Sequence, residues 1–268
     1  MTPREPLHEM RPTTRFSDRA ADYAKFRPTY PAEAIGAILG GLPAMARGGA
    51  LQGPIVAADV GAGTGISARL LAERGVRVIA IEPNDAMRAA AEPHPLIEWR
   101  SGAAETTGLP DASLDLVLCA QSYHWFEPGA ACREFARILR PGGRLALMWN
   151  DGDETDPVAR GYYDLVREAS GGAGPTSHQS AARNPTLAPP FDPARVRRLC
   201  FRNEQRLDEA ALIGRAISAS YVPKTGPRAD RLVRGLRDLH ARHAASDGCV
   251  GLVYEVLVYL DELNEPRP

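Results

Sequence analysis

The chain has 268 residues, of which 44% are hydrophobic and 24% charged, and a formal net charge of −1. That length suits one large α/β domain, or a core with a small accessory piece. The near-neutral balance removes any long-range pull toward nucleic acid or anionic membranes. The opening segment MTPREPLHEMRPTTRF lacks an apolar core and does not read as a secretory signal. Apolar runs such as LALMW are too short to span a bilayer. The expected setting is therefore the cytoplasm, with no membrane and no nucleic acid as partners and the oligomeric state left open. The four cysteines, Cys119, Cys132, Cys200 and Cys249, show no C-x-x-C spacing and read as reduced, mostly buried thiols.

The first half alternates strand and helix signals. PIVAADV (54–60) reads as a buried strand. GISARLLAERG follows as a helix, with Ile66, Leu70 and Leu71 inward and Gly75 as its stop. VRVIAIE is a second strand ending at Glu82, DAMRAAAE (85–92) a helix, LIEWRSG a third strand and LDLVLCAQ (114–121) a fourth. A helix starts near Pro128 and is expected to end at Pro141-Gly142-Gly143. RLALMWN (144–150) is the fifth strand. The repeated order predicts a doubly wound, parallel α/β sheet.

The second half is less regular. PVARGYYDLVREAS predicts a helix, and residues 171–193, rich in Gly, Pro, Ser and Thr, read as a mobile lid or a disordered connection. RRLCFRNEQRL predicts a strand, LDEAALIGRAISASY and DRLVRGLRDLHARHA helices, and CVGLVYEVLVYLDEL a closing strand. His240 and His243 share a helical face but have no third metal ligand and basic neighbours, so no metal is expected.

The stretch DVGAGTG (59–65) carries the chemistry. A dinucleotide fingerprint needs a third glycine where Ile66 stands, and a Walker loop needs a following Gly-Lys-Ser/Thr; both fail. Asp59 would repel a phosphate at short range and attract a cation. S-adenosylmethionine, with a sulfonium, an ammonium and no phosphate, matches that arrangement, and glycines let the backbone pass a ligand without a Cβ clash. Glu82 is placed to accept hydrogen bonds from ribose hydroxyls, as in nicotinamide-binding proteins too. The plainer alternatives are that Asp59 caps the following turn and that Glu82 is a solvated strand end.

With these residues quoted, the sequence resembles the class I S-adenosylmethionine-dependent methyltransferases of the "methyltransferase domain 11" type. DVGAGTG resembles the first motif of that family, AIEPNDAMRAAA the second, GAAETTGLPDASLDLVLCAQSYHWF the third block and fourth strand, and LRPGGRLAL the lead into the fifth strand. The resemblance covers residues 13–150 well and the remainder in outline. QSYHWF and FSDRAADYAKFRPTYP together resemble a trans-aconitate methyltransferase-like subgroup. The resemblance implies a Rossmann-like, mostly parallel seven-stranded sheet with an antiparallel C-terminal strand, an N-terminal helical lid and an inserted helical and loop region for substrate. The corresponding segments are 1–35 (lid), 36–150 (core), 151–220 (variable substrate region) and 221–268 (C-terminal helix and closing strand).

It also implies S-adenosylmethionine as cofactor and S-adenosylhomocysteine as product. The implied cofactor contacts are Tyr23, Arg27, Asp59, Gly61, Ala62, Gly63, Thr64, Gly65, Glu82, Pro83, Met87, Ala103, Ala104, Glu105 and Gln121, with Arg27 pairing with the cofactor carboxylate. Ala103 replaces an acid that many family members present to adenine, which leaves that task to the backbone at Ala104 and to Glu105. Tyr30, Tyr123 and Trp125 are the expected substrate walls. His124 is the candidate base or orienting group, with Tyr23 a second catalytic candidate; packing roles are the plainer alternative for both.

Three functions fit: methyl transfer to a small molecule of secondary metabolism; the same cofactor used for cyclisation of the cyclopropanation type; or a nicotinamide-linked oxidoreduction through Glu82. Methyl transfer needs alignment and exclusion of water more than a base, so the lack of an obvious base does not argue against it.

Overall fold

A computed structural model describes residues 20–42, 54–171 and 182–262. Strands β1 (Val56–Val60), β2 (Arg77–Ile81), β3 (Ile97–Arg100), β4 (Leu114–Ala120), β5 (Leu139–Gly152), β6 (Arg197–Leu207) and β7 (Val250–Glu262) form one sheet. Their order is β3-β2-β1-β4-β5-β7-β6. The first five are parallel, and β7 runs antiparallel to both of its neighbours, β5 and β6. The chain reverses direction of growth between β1 and β4, which opens a crevice at the carboxyl ends of those strands.

Helices α2 (Ala32–Leu39) and α3 (Ile66–Ala72) cover one face of the sheet, where Ile35, Ile38, Leu71, Leu116 and Met148 meet. On the other face, α5 (Pro128–Ile138) packs Phe135 and Ile138 against Val117, Leu147 and Trp149. A third core joins α6 (Pro157–Ser170), α7 (Glu209–Ile217) and α8 (Pro227–His243) to Leu252 and Tyr254 of β7. β7 thus alternates its side chains between layers, as a period of two requires. Short polar side chains start several helices: Asn84 accepts from the N–H groups of Ala86 and Met87 at the head of α4 (Asp85–Ala89), and Asp208 from Ala211 at the head of α7.

Some expectations need correction. α3 ends at Ala72, before Gly75, and buries Ser67, Ala68, Leu71 and Ala72 fully, leaving Ile66 and Leu70 half-buried. Small residues take the inward face because α3 lies close to the sheet. α4 stops at Ala89, short of Glu92, ahead of Pro93 and Pro95. Pro141-Gly142-Gly143 does not terminate a helix, since α5 ends at Ile138 and the triplet forms an irregularity inside β5, opposite Leu114 and Leu116. Cys119 and Cys132 are buried, but Cys200 is exposed on β6, where alternate side chains face solvent. Of the segment 171–193, residues 172–181 lie outside the described residues; Ala182, Leu187 and Phe191 are buried in the core, so that stretch is packed.

Candidate functional site

The loop after β1 turns on three glycines with left-handed backbone, φ 69° at Gly61, 59° at Gly63 and 84° at Gly65. Gly61 and Ala62 donate to the carbonyl of Ile81, which docks the loop on the end of β2. A side chain at Gly61 would meet Cβ of Ser122 at 2.6 Å, and one at Gly65 would meet Trp99 at 2.8 Å. Close approach is thus demanded by the protein itself at those two positions, and not by a ligand as the sequence suggested.

Glu82 is the clamp of this region. It is 8% exposed, accepts from the N–H of Gly63 through Oε2 at 2.9 Å, and accepts from the N–H of Asn84 through Oε1 at 2.9 Å. One carboxylate therefore ties the glycine loop to the head of α4. Each oxygen keeps a lone pair beyond those bonds, and Glu82 lines the cavity beside it. Burial pushes its carboxyl up, opposed by the two backbone bonds and by Arg88.

Asp59 behaves differently from expectation. It is fully buried beneath the loop and is not part of the cavity wall. Its Oδ2 accepts from Ser67 Oγ at 2.6 Å, so the capping alternative holds for that oxygen. Oδ1 has no hydrogen-bond partner. Burial pushes the carboxyl from 3.8 up to about 7, with the Ser67 and Ala68 bonds opposing.

Two cavities open at this edge of the sheet. The first, about 940 Å³, is lined by Gly61, Ala62, Gly63 and Thr64, by Glu82, Pro83 and Met87, and by Ala103, Ala104 and Glu105. Gly65 lies outside it and acts as the N-cap of α3. Thr64 Oγ1 is buried without a partner in the wall. The sequence missed Ser122 and Phe126 in this cavity; both follow β4 directly.

The second cavity, about 880 Å³, is built by the carboxyl end of β5 (Trp149 to Gly152), by Tyr163 of α6 and by Arg215, Ser220 and Tyr221 in and after α7. Tyr23, Tyr30, Ile66, Gln121 and Trp125 line both cavities, so the two meet at this wall. Gln121 is held in the left-handed region at φ 57°, an uncommon state for a residue with a side chain, and its Nε2 donates to the carbonyl of Asn150 at 3.0 Å. Helix α1 (Ala20–Phe26) brings Tyr23 over the glycine loop, and the Arg27 guanidinium lies 4.6 Å from the Tyr23 ring centre. Arg27 lines the second cavity, beside Tyr23 at the wall the two cavities share.

Tyr123 is a correction. It is 3% exposed, donates to the carbonyl of Thr186 at 2.7 Å, and lines neither cavity. Tyr123–Trp125 is a single 3-10 turn, whose three side chains point about 120° apart. His124 lines the second cavity, and its Nδ1 accepts the indole N–H of Trp149 at 3.2 Å. Because indole only donates, that bond sets the neutral imidazole with its proton on Nε2. That tautomer presents a donor at Nε2. Trp149→Phe is expected to lower stability by about 2–3 kcal/mol, from the lost hydrogen bond and the cavity left in the core, measured by denaturant unfolding, and to release Nδ1 from that bond, read from the ring nitrogen shifts by NMR.

A family profile described as a methyltransferase domain matches residues 58–147. An uncharacterized methyltransferase of Mycobacterium bovis is 35% identical over 242 residues, covering 88% of this chain and 90% of that protein. A methyltransferase-like protein of Schizosaccharomyces pombe is 34% identical over 144 residues, covering 53% of this chain and 54% of that one. Among solved structures, a protein of Anaeromyxobacter dehalogenans assigned as a type II methyltransferase superposes with a TM-score of 0.64 at 24% identity, over 89% of this chain and 99% of that one.

Proposed function

This chain belongs to the class I S-adenosylmethionine-dependent methyltransferases, and we propose that it methylates a small molecule held in its second cavity. The observation that carries this reading is the pair of cavities meeting at one wall of Tyr23, Tyr30, Ile66, Gln121 and Trp125. The first cavity fits S-adenosylmethionine by its donor set: spare lone pairs on Glu82 for ribose hydroxyls and Thr64 Oγ1 unpartnered in the wall, with the Asp59 carboxylate buried beneath the loop. When bound, the cofactor supplies an electrophilic methyl on a sulfonium.

The chain's own residues supply alignment and dryness. Gln121, fixed by its bond to Asn150, and the Trp125 and Tyr30 rings form the passage between the cavities. Holding the acceptor there in near-attack geometry, with water excluded, is the main catalytic task. His124 orients the acceptor by donating from Nε2. A concave cavity of this kind, partly open to solvent, supports a small-molecule acceptor. A role in secondary metabolism and a cytoplasmic setting extend the reading of the neutral charge; no helix among the described residues is long and apolar enough to cross a membrane.

A native mass spectrum of purified protein should show retained S-adenosylhomocysteine, and an acceptor turned over should gain one methyl. An isomerised or ring-closed product would replace this reading with the cyclising one.

Asp59 gives a pH test. Its folded-state pKa of about 7 stands above the ordinary 3.8, so ionisation opposes folding. Its share of stability is whole below pH ~4 and is lost as pH rises through about 7. A cation bound nearby favours the carboxylate, so S-adenosylhomocysteine, which carries an ammonium, should bind with proton release and gain affinity as pH rises toward about 7. Calorimetry in two buffers of different ionisation enthalpy reads this directly, and binding heats that are equal in both would contradict it. Asp59→Asn should stabilise the free protein at neutral pH and remove the pH dependence.

A further inference from the structure

Arg215 is 7% exposed on α7 and lines the second cavity. It stands between Leu212 and Ala216 on the buried side of that helix. Its Nε is buried with no hydrogen-bond partner, and among the described residues no carboxylate pairs with it. Four tyrosines, Tyr162, Tyr163, Tyr221 and Tyr254, lie around it, and none of them brings a carboxylate. The second buried arginine shows what a structural role looks like. Arg144, 2% exposed, donates to the carbonyls of Ile38 and Gly40 and pairs with Glu262 at 2.7 Å. Arg215 has no such set. A guanidinium taken out of water without a counter-ion is costly, so a fold that keeps one at a cavity wall leaves a place for an anion.

The charge and position of that anion follow. Asp151, buried in the same wall, pairs with Arg183 at 2.7 Å and not with Arg215, and Arg183 also pairs with Glu255 at 3.2 Å. Arg27, the other guanidinium on this cavity, lies over the Tyr23 ring at the shared wall and also has a buried Nε without a partner, whereas Arg215 stands apart from that wall; the planar fork of Arg215 matches two oxygens side by side. Arg215 lines neither the first cavity nor the wall the two cavities share. Resting on the methyltransferase reading above, we propose that the acceptor carries a carboxylate that Arg215 binds as an anchor, and that this carboxylate is not the group methylated. The acceptor's nucleophilic atom lies at the shared wall and gains the methyl there as the methyl–sulfur bond breaks. Any proton on that atom leaves to solvent, and the anchored carboxylate keeps its charge throughout.

The test uses acetate, small enough to enter any carboxylate site, with the full chain in the presence and absence of S-adenosylhomocysteine. Line broadening of ¹³C-acetate should show saturable binding to the wild type, weakened about tenfold or more in Arg215→Met and partly retained in Arg215→Lys. Acetamide should not compete. S-adenosylhomocysteine affinity, measured separately by calorimetry, should stay within about threefold in Arg215→Met, because the anchor is not a cofactor contact. The melting temperature of Arg215→Met should rise, since a buried uncompensated charge is removed. Acetate binding that is absent in the wild type or equal in Arg215→Met overturns the proposal. Inorganic phosphate binding more tightly than acetate overturns the carboxylate assignment, and a large loss of S-adenosylhomocysteine affinity in Arg215→Met reassigns Arg215 to the cofactor. Failure of the wild type to bind S-adenosylhomocysteine sinks the methyltransferase reading alone, since the acetate result without it still decides the anion site.

Discussion

Glu82→Ala is expected to weaken S-adenosylhomocysteine binding by about a hundredfold or more and to cost about 2–3 kcal/mol of stability. Both effects have one cause. The carboxylate accepts the N–H groups of Gly63 and Asn84, each at 2.9 Å, and the bond to Asn84 is buried. Removing it leaves two backbone donors without partners, at about 1–3 kcal/mol each. Relief of the buried carboxylate's desolvation returns part of that loss, consistent with its raised pKa. In the bound state two charge-assisted hydrogen bonds to ribose hydroxyls would go as well. Glu82→Gln is not a mild control, because its amide nitrogen must face the N–H of either Gly63 or Asn84, donor against donor. An intermediate loss is expected for it. Calorimetric affinity and urea unfolding measure the two effects separately, and an affinity unchanged in Glu82→Ala would remove Glu82 from the cofactor site.

Gly61→Ala is expected to be strongly damaging, at about 3–5 kcal/mol. Its φ of 69° lies in the left-handed region, which costs a side chain about 1–2 kcal/mol. The added Cβ would stand 2.6 Å from Cβ of Ser122. Ser122 cannot swing away: the obstructing atom is attached to its backbone, and its Oγ donates to the carbonyl of Val60 at 2.6 Å in the core. The loop must therefore lift off the end of β2, breaking the bonds from Gly61 and Ala62 to Ile81. A domain stable by about 5–15 kcal/mol loses much of its margin, and thermal unfolding with cofactor titration should show both losses. Gly63→Ala should be milder, since its nearest neighbour is the flexible end of Met87 at 3.3 Å. Near-wild-type melting for Gly61→Ala would contradict the geometry of the loop.

The alternating half of the fold was legible because β1, β2, β4 and β5 are continuous apolar runs bounded by turn residues, the signature of strands buried on both faces. Glu82 was legible because its position at a strand end needs only the strand to be right. What the sequence did not show depends on direction. Periodicity finds the turn at Tyr123–Trp125 but not that Tyr123 enters the core while His124 and Trp125 face the cavities. It locates Asp59 at a strand end but not the Ser67 hydroxyl that takes one of its oxygens. Arg215 did leave a trace: ALIGRAI places a cation on the buried side of an otherwise apolar helix, a local conflict of the kind found where function overrides packing. The Pro141-Gly142-Gly143 triplet misled because helix-stop residues serve equally inside an irregular strand.

Titration of purified protein with S-adenosylhomocysteine by calorimetry, wild type beside Glu82→Ala, tests the central claim most directly. One-to-one binding at micromolar affinity in the wild type, lost about a hundredfold in the variant, is the predicted result. No binding to the wild type, or equal binding to both, would contradict the assignment of the first cavity to the methyl donor.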